Sequence, residues 1–321
     1  MNYRALGGTG LRVSEIGFGT WGLGGNAGGS FSYGPADDNV SRAALQSALD
    51  QGVNFYDTSD LYGFGHSEEI LGETFAGCRD RVVIASKGGF VDAVKQDFSA
   101  AHLRSALENS LRRLRTDYID LYQLHSPAVA ALREQPEIIA LLEEFRAAGK
   151  IRAWGFSARS PEEARVAVEE FFAPAIQVNF NLTDQRAQSG GLFALCQKQK
   201  TGVIVRTPLC FGFLTGKYSS KQNYDAADHR SRWSPEQLQS WEQANDVFAF
   251  LFKANPGDTP AQIALRFCLS FDAVSTTIPG MLTVAHVLEN AAASGRPALP
   301  VDQLARAIQV GGCTEFFVRK G

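Results

Sequence analysis

The chain has 321 residues, 45% hydrophobic and 20% charged, an ordinary balance for a folded protein and long enough to bury a substantial core. A net charge of −3 excludes the broad basic field that nucleic acid or an anionic membrane surface would require. No apolar stretch approaches the roughly 20 residues of a membrane span, and the opening Met1-Asn2-Tyr3-Arg4 leads into no signal-peptide core, so the expected location is cytoplasmic.

From the N-terminus, residues 3–6 and 12–13, joined through Gly7-Gly8-Thr9-Gly10, predict a small hairpin. A short β-type apolar run followed by a segment of helical period then recurs. The runs fall at 15–18, 53–56, 82–85, 118–124, 153–156, 175–178, 203–206 and 274–278. Between them, Ser99 is placed to cap a helix whose Leu103, Leu107, Leu111 and Leu114 share one face. Pro136 opens another with Ile138, Leu141, Leu142 and Phe145 on one stripe. Ser160-Pro161-Glu162-Glu163 and Thr259-Pro260-Ala261-Gln262 have the capping-box arrangement of a hydroxyl followed three residues later by an acid or amide. After the seventh strand, the stretch 209–257 is too long for a plain loop. It is expected to hold a lid and an extra helix over 234–252 that starts at Ser234-Pro235.

Strands alternating with helices indicate a parallel sheet, and about eight is the number at which such a sheet closes on itself. The predicted fold is therefore one (β/α)8 TIM barrel over residues 1–321, with an N-terminal hairpin and a long loop plus extra helix after strand 7. Gly17-Phe18-Gly19-Thr20-Trp21-Gly22 fits the dinucleotide fingerprint of a Rossmann fold, but that fingerprint must open a helix at once. Here Leu23-Gly24-Gly25-Asn26-Ala27-Gly28-Gly29 follows, and glycine costs a helix about 1 kcal/mol per residue. A long loop is expected instead.

In such a barrel the reacting groups sit at the C-terminal ends of the strands. Asp57, Lys87, His125 and Ser157 fall there, and Tyr62 follows Asp57 on its loop. Their chemistry is consistent: an ammonium at Lys87 favours a phenolate at Tyr62, a carboxylate at Asp57 supports the buried ammonium, and His125 can hydrogen-bond a carbonyl oxygen. Singly, each has a duller explanation as a turn residue, a packed ring or a satisfied core histidine; their joint placement carries the reading. The other histidines, His66, His102, His229 and His286, show no metal-ligand spacing. The five cysteines lie 118, 14, 58 and 45 residues apart, which fits neither a CxxC metal site nor a disulfide framework, so buried thiols are expected.

With these residues in order, the chain resembles the aldo-keto reductases over nearly its whole length. The motifs are Gly17-Phe18-Gly19-Thr20-Trp21-Gly22; Asn54-Phe55-Tyr56-Asp57-Thr58-Ser59 with Tyr62-Gly63; Ala85-Ser86-Lys87; Asp120-Leu121-Tyr122-Gln123-Leu124-His125; and Gly155-Phe156-Ser157. They continue with Gln177-Val178-Asn179, Pro208-Leu209 leading to Gly212-Phe213-Leu214-Thr215-Gly216-Lys217, and Ile278-Pro279-Gly280 with Glu289-Asn290. The resemblance implies a catalytic tetrad of Asp57, Tyr62, Lys87 and His125, reducing an aldehyde or ketone reversibly by hydride transfer from a nicotinamide and proton transfer from Tyr62. It also implies cofactor contacts from Gly19, Thr20, Trp21 and Asp57; from Ser157 and Gln177 to the carboxamide; and from Arg206, in place of a tyrosine that many members stack on the nicotinamide. Thr207, Leu209 and Gly212 match the pyrophosphate region and Gly280, His286, Glu289 and Asn290 the adenosine end, with Pro208 and Lys217 also implied as cofactor contacts.

Three positions depart from the family pattern. Leu282 replaces a common basic residue that pairs with the 2′-phosphate, His286 a glutamine, and Ala158 an asparagine. NADP(H) is the expected cofactor, with Lys217 and Arg230 or Arg232 as the basic cluster, and NAD(H) is the alternative because of Leu282. The expected partner is a small carbonyl or alcohol substrate, with Trp21, Tyr33, Phe64, Phe90 and Trp233 as candidates for an aromatic pocket. The competing function is a nicotinamide-binding regulatory subunit of the same fold. The tetrad does not exclude it, and the shortness of the segment ahead of Tyr3 counts against it.

Overall fold

The computed structural model describes residues 1–27, 31–128, 132–135 and 137–318. Pro136, expected to open a helix, lies outside the described residues, as do Gly28 and Gly29 of the glycine-rich loop. The predicted hairpin forms from β1 (Tyr3–Ala5) and β2 (Arg12–Ser14), paired antiparallel. Eight strands follow: β3 (Phe18–Gly19), β4 (Phe55–Asp57), β5 (Val83–Gly88), β6 (Ile119–His125), β7 (Ile151–Ser157), β8 (Ala175–Asn179), β9 (Gly202–Arg206) and β10 (Val274–Ile278).

Each of these strands lies parallel beside the next. β3 meets β10 through Gly17 N donating to Thr277 O (2.8 Å), Thr277 N to Glu15 O (3.0 Å) and Gly19 N to Pro279 O (3.0 Å), which closes the barrel. Of the run 15–18 expected as the first strand, Glu15 and Gly17 supply two of these closing bonds and Gly19 the third, while the regular pairing with β4 is confined to Phe18 and Gly19.

The two-residue period of the strands sorts their side chains by depth. Phe55, Ala85, Leu121, Ala153, Ala175, Ile204 and Ile278 form an apolar layer inside the barrel, plugged from below by Leu6, Leu11 and Val13 of the hairpin. Two residues further along the same faces stand Asp57, Lys87, Gln123, Gln177 and Arg206. The site is thus the polar continuation of a dry barrel interior. A second, larger core lies between strands and helices and takes in the expected stripes Leu103, Leu107, Leu111, Leu114 and Ile138, Leu141, Leu142, Phe145.

Helices fill the crossovers: Asp38–Asp50, His66–Phe75, Ala100–Leu114, Glu137–Ala147, Pro161–Glu169, Leu192–Gln199, Pro260–Leu269 and Val284–Ala291, with Val301–Cys313 after them. Ser99 caps as expected, its hydroxyl accepting from His102 N. Thr259 and Gln262 complete a capping box. Ser160 makes only half of one, because Glu163 turns to accept from Arg159 N at 3.1 Å. The single extra helix expected over 234–252 runs instead as Pro235–Val247 and Ala249–Ala254. It breaks at Phe248, whose buried ring stacks on Phe316. Cys196, Cys210 and Cys268 are buried thiols as expected, Cys78 is partly covered and Cys313 is exposed. No helix among the described residues is long and apolar enough to cross a membrane.

Candidate active site

The C-terminal ends of the strands surround a cavity of about 450 Å3. At its floor the buried Lys87 ammonium donates to Asp57 Oδ1 (2.5 Å), to the Thr58 carbonyl (2.8 Å) and to Tyr62 Oη (3.1 Å). Burial, the largest influence, lowers the Lys87 pKa, but the Asp57 carboxylate and then Tyr62 outweigh it and the net shift is upward. Asp57 Oδ2 accepts from Gln177 Nε2 (2.6 Å) and Gln123 Nε2 (3.2 Å), so each carboxylate oxygen is engaged. Gln123 shares the inward face of β6 with Leu121 and His125, and that two-residue period was the available signal for it.

His125, paired in register with Ser157, ends β6. Its Nδ1 lies 3.0 Å from Ser59 Oγ, and its ring packs edgewise against Phe90 (4.8 Å) and Tyr62 (6.0 Å). Burial first, then the charges of Lys87 and Arg206, hold this imidazole well below its ordinary range, so it is neutral. Arg206 closes the floor opposite, donating to Asn179 Oδ1 (2.8 Å) and to the Ala158 carbonyl (2.9 Å). Ser126 and Thr207, the residues immediately after His125 and Arg206, both take positive φ. Such left-handed backbone is costly for non-glycine residues and clusters where a site constrains the chain.

Three of the four proposed catalytic residues, Asp57, Tyr62 and His125, line the cavity; Lys87 lies buried beneath it. Gly19, Thr20, Trp21, Gln177, Arg206, Thr207, Pro208, Leu209, Gly212, Lys217, Gly280, His286, Glu289 and Asn290 line it as well. Ser157 does not; it sits behind Gln177, its hydroxyl 3.4 Å from Oε1. The glycines after β3 answer to close backbone approach. A Cβ on Gly24 would stand 2.7 Å from the Tyr62 carbonyl carbon, and one on Gly19 2.9 Å from the Ile278 carbonyl oxygen.

Of the aromatic candidates, Trp21 and Tyr33 line the cavity, Phe90 covers His125, Phe64 is exposed, and Trp233 packs on Phe211 and Trp241. The loop after β9 reaches the loop after β3, with His229 N donating to Ser32 O (2.8 Å) and Asn26 Nδ2 to Ala227 O (2.9 Å). Within it Arg230 is buried, paired with Asp228 at 2.6 Å and flanked by the rings of Tyr33, Tyr218 and Tyr224. Lys217 is paired with Glu289 at 2.7 Å. Leu61, Phe211, Tyr218 and Ala261 also line the cavity and were not among the expected site residues; the first three lie in segments with no period to place them, and Ala261 was read only as part of a helix start.

A closed parallel barrel with a buried Lys–Asp–Tyr cluster at its mouth defines a catalytic barrel of the oxidoreductase type. The model of the aldo/keto reductase family matches residues 15–310, and the chain belongs to that family. It is 33% identical over 282 residues to the aldo-keto reductase YhdN of Bacillus subtilis, covering 84% of this chain and 81% of that one. The holo form of aldo-keto reductase AKR11C1 from Bacillus halodurans superposes with a TM-score of 0.78 at 27% identity, covering 97% and 96% of the two chains. An aldo/keto reductase from Klebsiella pneumoniae in complex with NADP and acetate gives a TM-score of 0.71 at 27% identity, covering 97% and 95%. Members of the family are NAD(P)-dependent oxidoreductases, and this chain is one.

Proposed function

We propose that the protein reversibly reduces the carbonyl of a small aldehyde or ketone, with Tyr62 delivering the proton and NADP(H) as the cofactor. The observation that carries this reading is Lys87 Nζ, which bonds Asp57 Oδ1 and Tyr62 Oη at once. An ammonium held beside a phenol stabilises the phenolate left after proton transfer, and the carboxylate beneath keeps that ammonium charged. His125, on the other side of Tyr62, orients the substrate oxygen. The nicotinamide, when bound, supplies the hydride that no side chain can provide.

The cavity runs from Tyr62 and His125 past Thr207 to Leu209 and on to Asn290, a shape suited to an extended dinucleotide. Gln177, backed by Ser157, would hold the carboxamide, and the planar Arg206 guanidinium the nicotinamide face. Thr207, Pro208, Leu209 and Gly212 would face the pyrophosphate. Lys217, Gly280, His286, Glu289 and Asn290 would face the adenosine end, and Gly19, Thr20 and Trp21 line the cavity where the chain leaves β3 beside Gly280. A Cβ on Gly280 would meet nothing within 4 Å, so the cavity wall is open there.

The test is Tyr62→Phe, assayed against small aldehydes, ketones and sugars. Turnover is expected to fall by about a hundredfold or more, the usual contribution of a general acid, with cofactor affinity nearly intact. Near-wild-type turnover on every good substrate would refute the assignment.

A further inference from the structure

Behind His125 lies a contact that the tetrad does not use. Ser59 Oγ is 3.0 Å from His125 Nδ1, 3.1 Å from Asp60 Oδ1 and 3.1 Å from the Leu61 backbone N–H. A serine hydroxyl has one proton and two lone pairs. Leu61 N–H takes one lone pair, so Ser59 donates to either His125 or Asp60 and accepts from the other. With the imidazole neutral, only two arrangements satisfy all three partners. If Asp60 is ionised, Ser59 donates to it, His125 Nδ1–H donates to Ser59, and Nε2 carries a lone pair. If Asp60 is protonated, it donates to Ser59, Ser59 donates to Nδ1, and the ring proton sits on Nε2.

We infer that Ser59 and Asp60 form a proton relay that sets which tautomer of His125 meets the substrate oxygen: the Nε2–H donor for a carbonyl, the Nε2 lone pair for an alcohol. The inference deepens the carbonyl-reduction reading and rests on it for its meaning. Protons balance along the relay. One proton taken up at Nε2 is matched by transfer of the Nδ1 proton to Ser59 Oγ and of the Ser59 proton to Asp60 Oδ1. No electrons move, and the trio gains one proton.

The surroundings of Asp60 suit such a role. Its carboxyl is pushed up to about 7, by burial first and by the Glu68 carboxylate next, against the opposing influence of Ser59, Arg113 and the Leu61 backbone. Glu68 belongs to the helix His66–Phe75 and is itself paired with Arg113 (2.6 Å) and bonded by Ser86 (2.5 Å). From β5, the Lys87 carbonyl accepts from Asp60 N at 3.2 Å. From β6 comes Tyr122, whose buried hydroxyl has no partner among the described residues. A Cβ on Gly88 would clash with that hydroxyl and stand 3.6 Å from Asp60 Oδ2, so the missing side chain leaves the two groups facing one small space. At the other end, His125 is faced by Lys87, Arg206 and the rings of Tyr62 and Phe90.

The ring nitrogens report the tautomer directly. In protein labelled with 15N-histidine and loaded with NADP+, the His125 shifts are followed from about pH 5.5 to about pH 9, the range around an ordinary histidine pKa. The wild type is expected to pass from Nε2–H to Nδ1–H with a midpoint near 7. Asp60→Asn, whose amide does not titrate, should hold a single tautomer throughout, and Ser59→Ala should uncouple His125 from pH. In parallel, kcat/KM for carbonyl reduction should fall by about tenfold per pH unit above 7 in the wild type as the Nε2–H donor is lost, and Asp60→Asn should lack that inflection. A single tautomer across the range in the wild type, or the same midpoint in Asp60→Asn, overturns the relay. A tautomer switch in protein that reduces no carbonyl would leave the relay standing and remove the proposed reaction.

Discussion

Replacing Asp57 by asparagine would leave the Lys87 ammonium buried without a counter-charge, its acceptors reduced to the neutral amide oxygen, Tyr62 Oη and the Thr58 carbonyl. Both members of the ion pair are almost fully enclosed, Lys87 at 0% and Asp57 at 2% exposure, so solvent screening does not soften the loss. Breaking a buried pair from one side costs about 3–5 kcal/mol. At about 2.1 cal/mol/K of unfolding entropy per residue, this is a fall of roughly 4–7 °C in Tm for 321 residues.

The dependence on pH gives the sharper test. In the wild type the Lys87 pKa is raised above 10.5, so its stabilisation is complete below that value and is lost only as pH rises through the folded value. Without Asp57, burial becomes the dominant influence and depresses the pKa below 10.5. The lysine then destabilises at low pH and relaxes as it loses its proton. Urea unfolding of both proteins at about pH 7 and about pH 9.5 should therefore show a deficit that narrows at the higher pH. A deficit under about 1 kcal/mol, or one that does not narrow, would refute the buried-pair account.

Asp60 likewise loses stability as pH rises, but lower on the pH scale. Its carboxyl is raised from 3.8 to about 7, so stability from this group is complete below 3.8 and is lost as pH rises through about 7. Asp60→Asn should accordingly gain on the wild type between those values, by at most about 4 kcal/mol at pH 8, measured by denaturant unfolding. Gly24→Ala should push the Tyr62 backbone away by a few tenths of an ångström and lower kcat by about tenfold with little change in cofactor Kd; unchanged kcat would mean the two loops yield freely. Leu282→Arg should tighten NADPH relative to NADH in a fluorescence titration, and an unchanged affinity ratio would place the 2′-phosphate elsewhere. Glu289→Gln frees the Lys217 ammonium of its partner and should shift the same ratio toward NADPH, whereas a fall in both affinities would make the pair a structural clamp.

The barrel was legible because two independent periods agreed. Seven of the eight apolar runs became strands over half or more of their length, and the first overlaps β3 only at Phe18; most are short, largely buried and followed by a stripe such as Leu103, Leu107, Leu111 and Leu114. What the periods could not supply is anything decided by contacts distant in the sequence. The helix breaks at Phe248, whose ring stacks on Phe316 far along the chain, and even the local box at Ser160 opens because Glu163 takes a different backbone donor, Arg159 N. Local propensity contains neither.

The same division runs through the site. Asp57, Lys87 and His125 could be found from where strands end, and Tyr62 from its distance to Asp57, because strand ends in a barrel converge whatever the loops do. Ser59 and Asp60 stand just after Asp57 and read locally as turn residues. Their meaning arises only when β6 brings His125 to Ser59 and the helix His66–Phe75 brings Glu68 toward Asp60. The basic residues after β9 show the converse. Their number suggests a phosphate site, yet Arg230 is committed to Asp228 and three tyrosine rings, and Lys217 to Glu289. A charge in the sequence counts toward a ligand only after its partners in the fold are subtracted, and the Glu289→Gln and Leu282→Arg titrations test whether the Lys217–Glu289 pair governs phosphate selectivity.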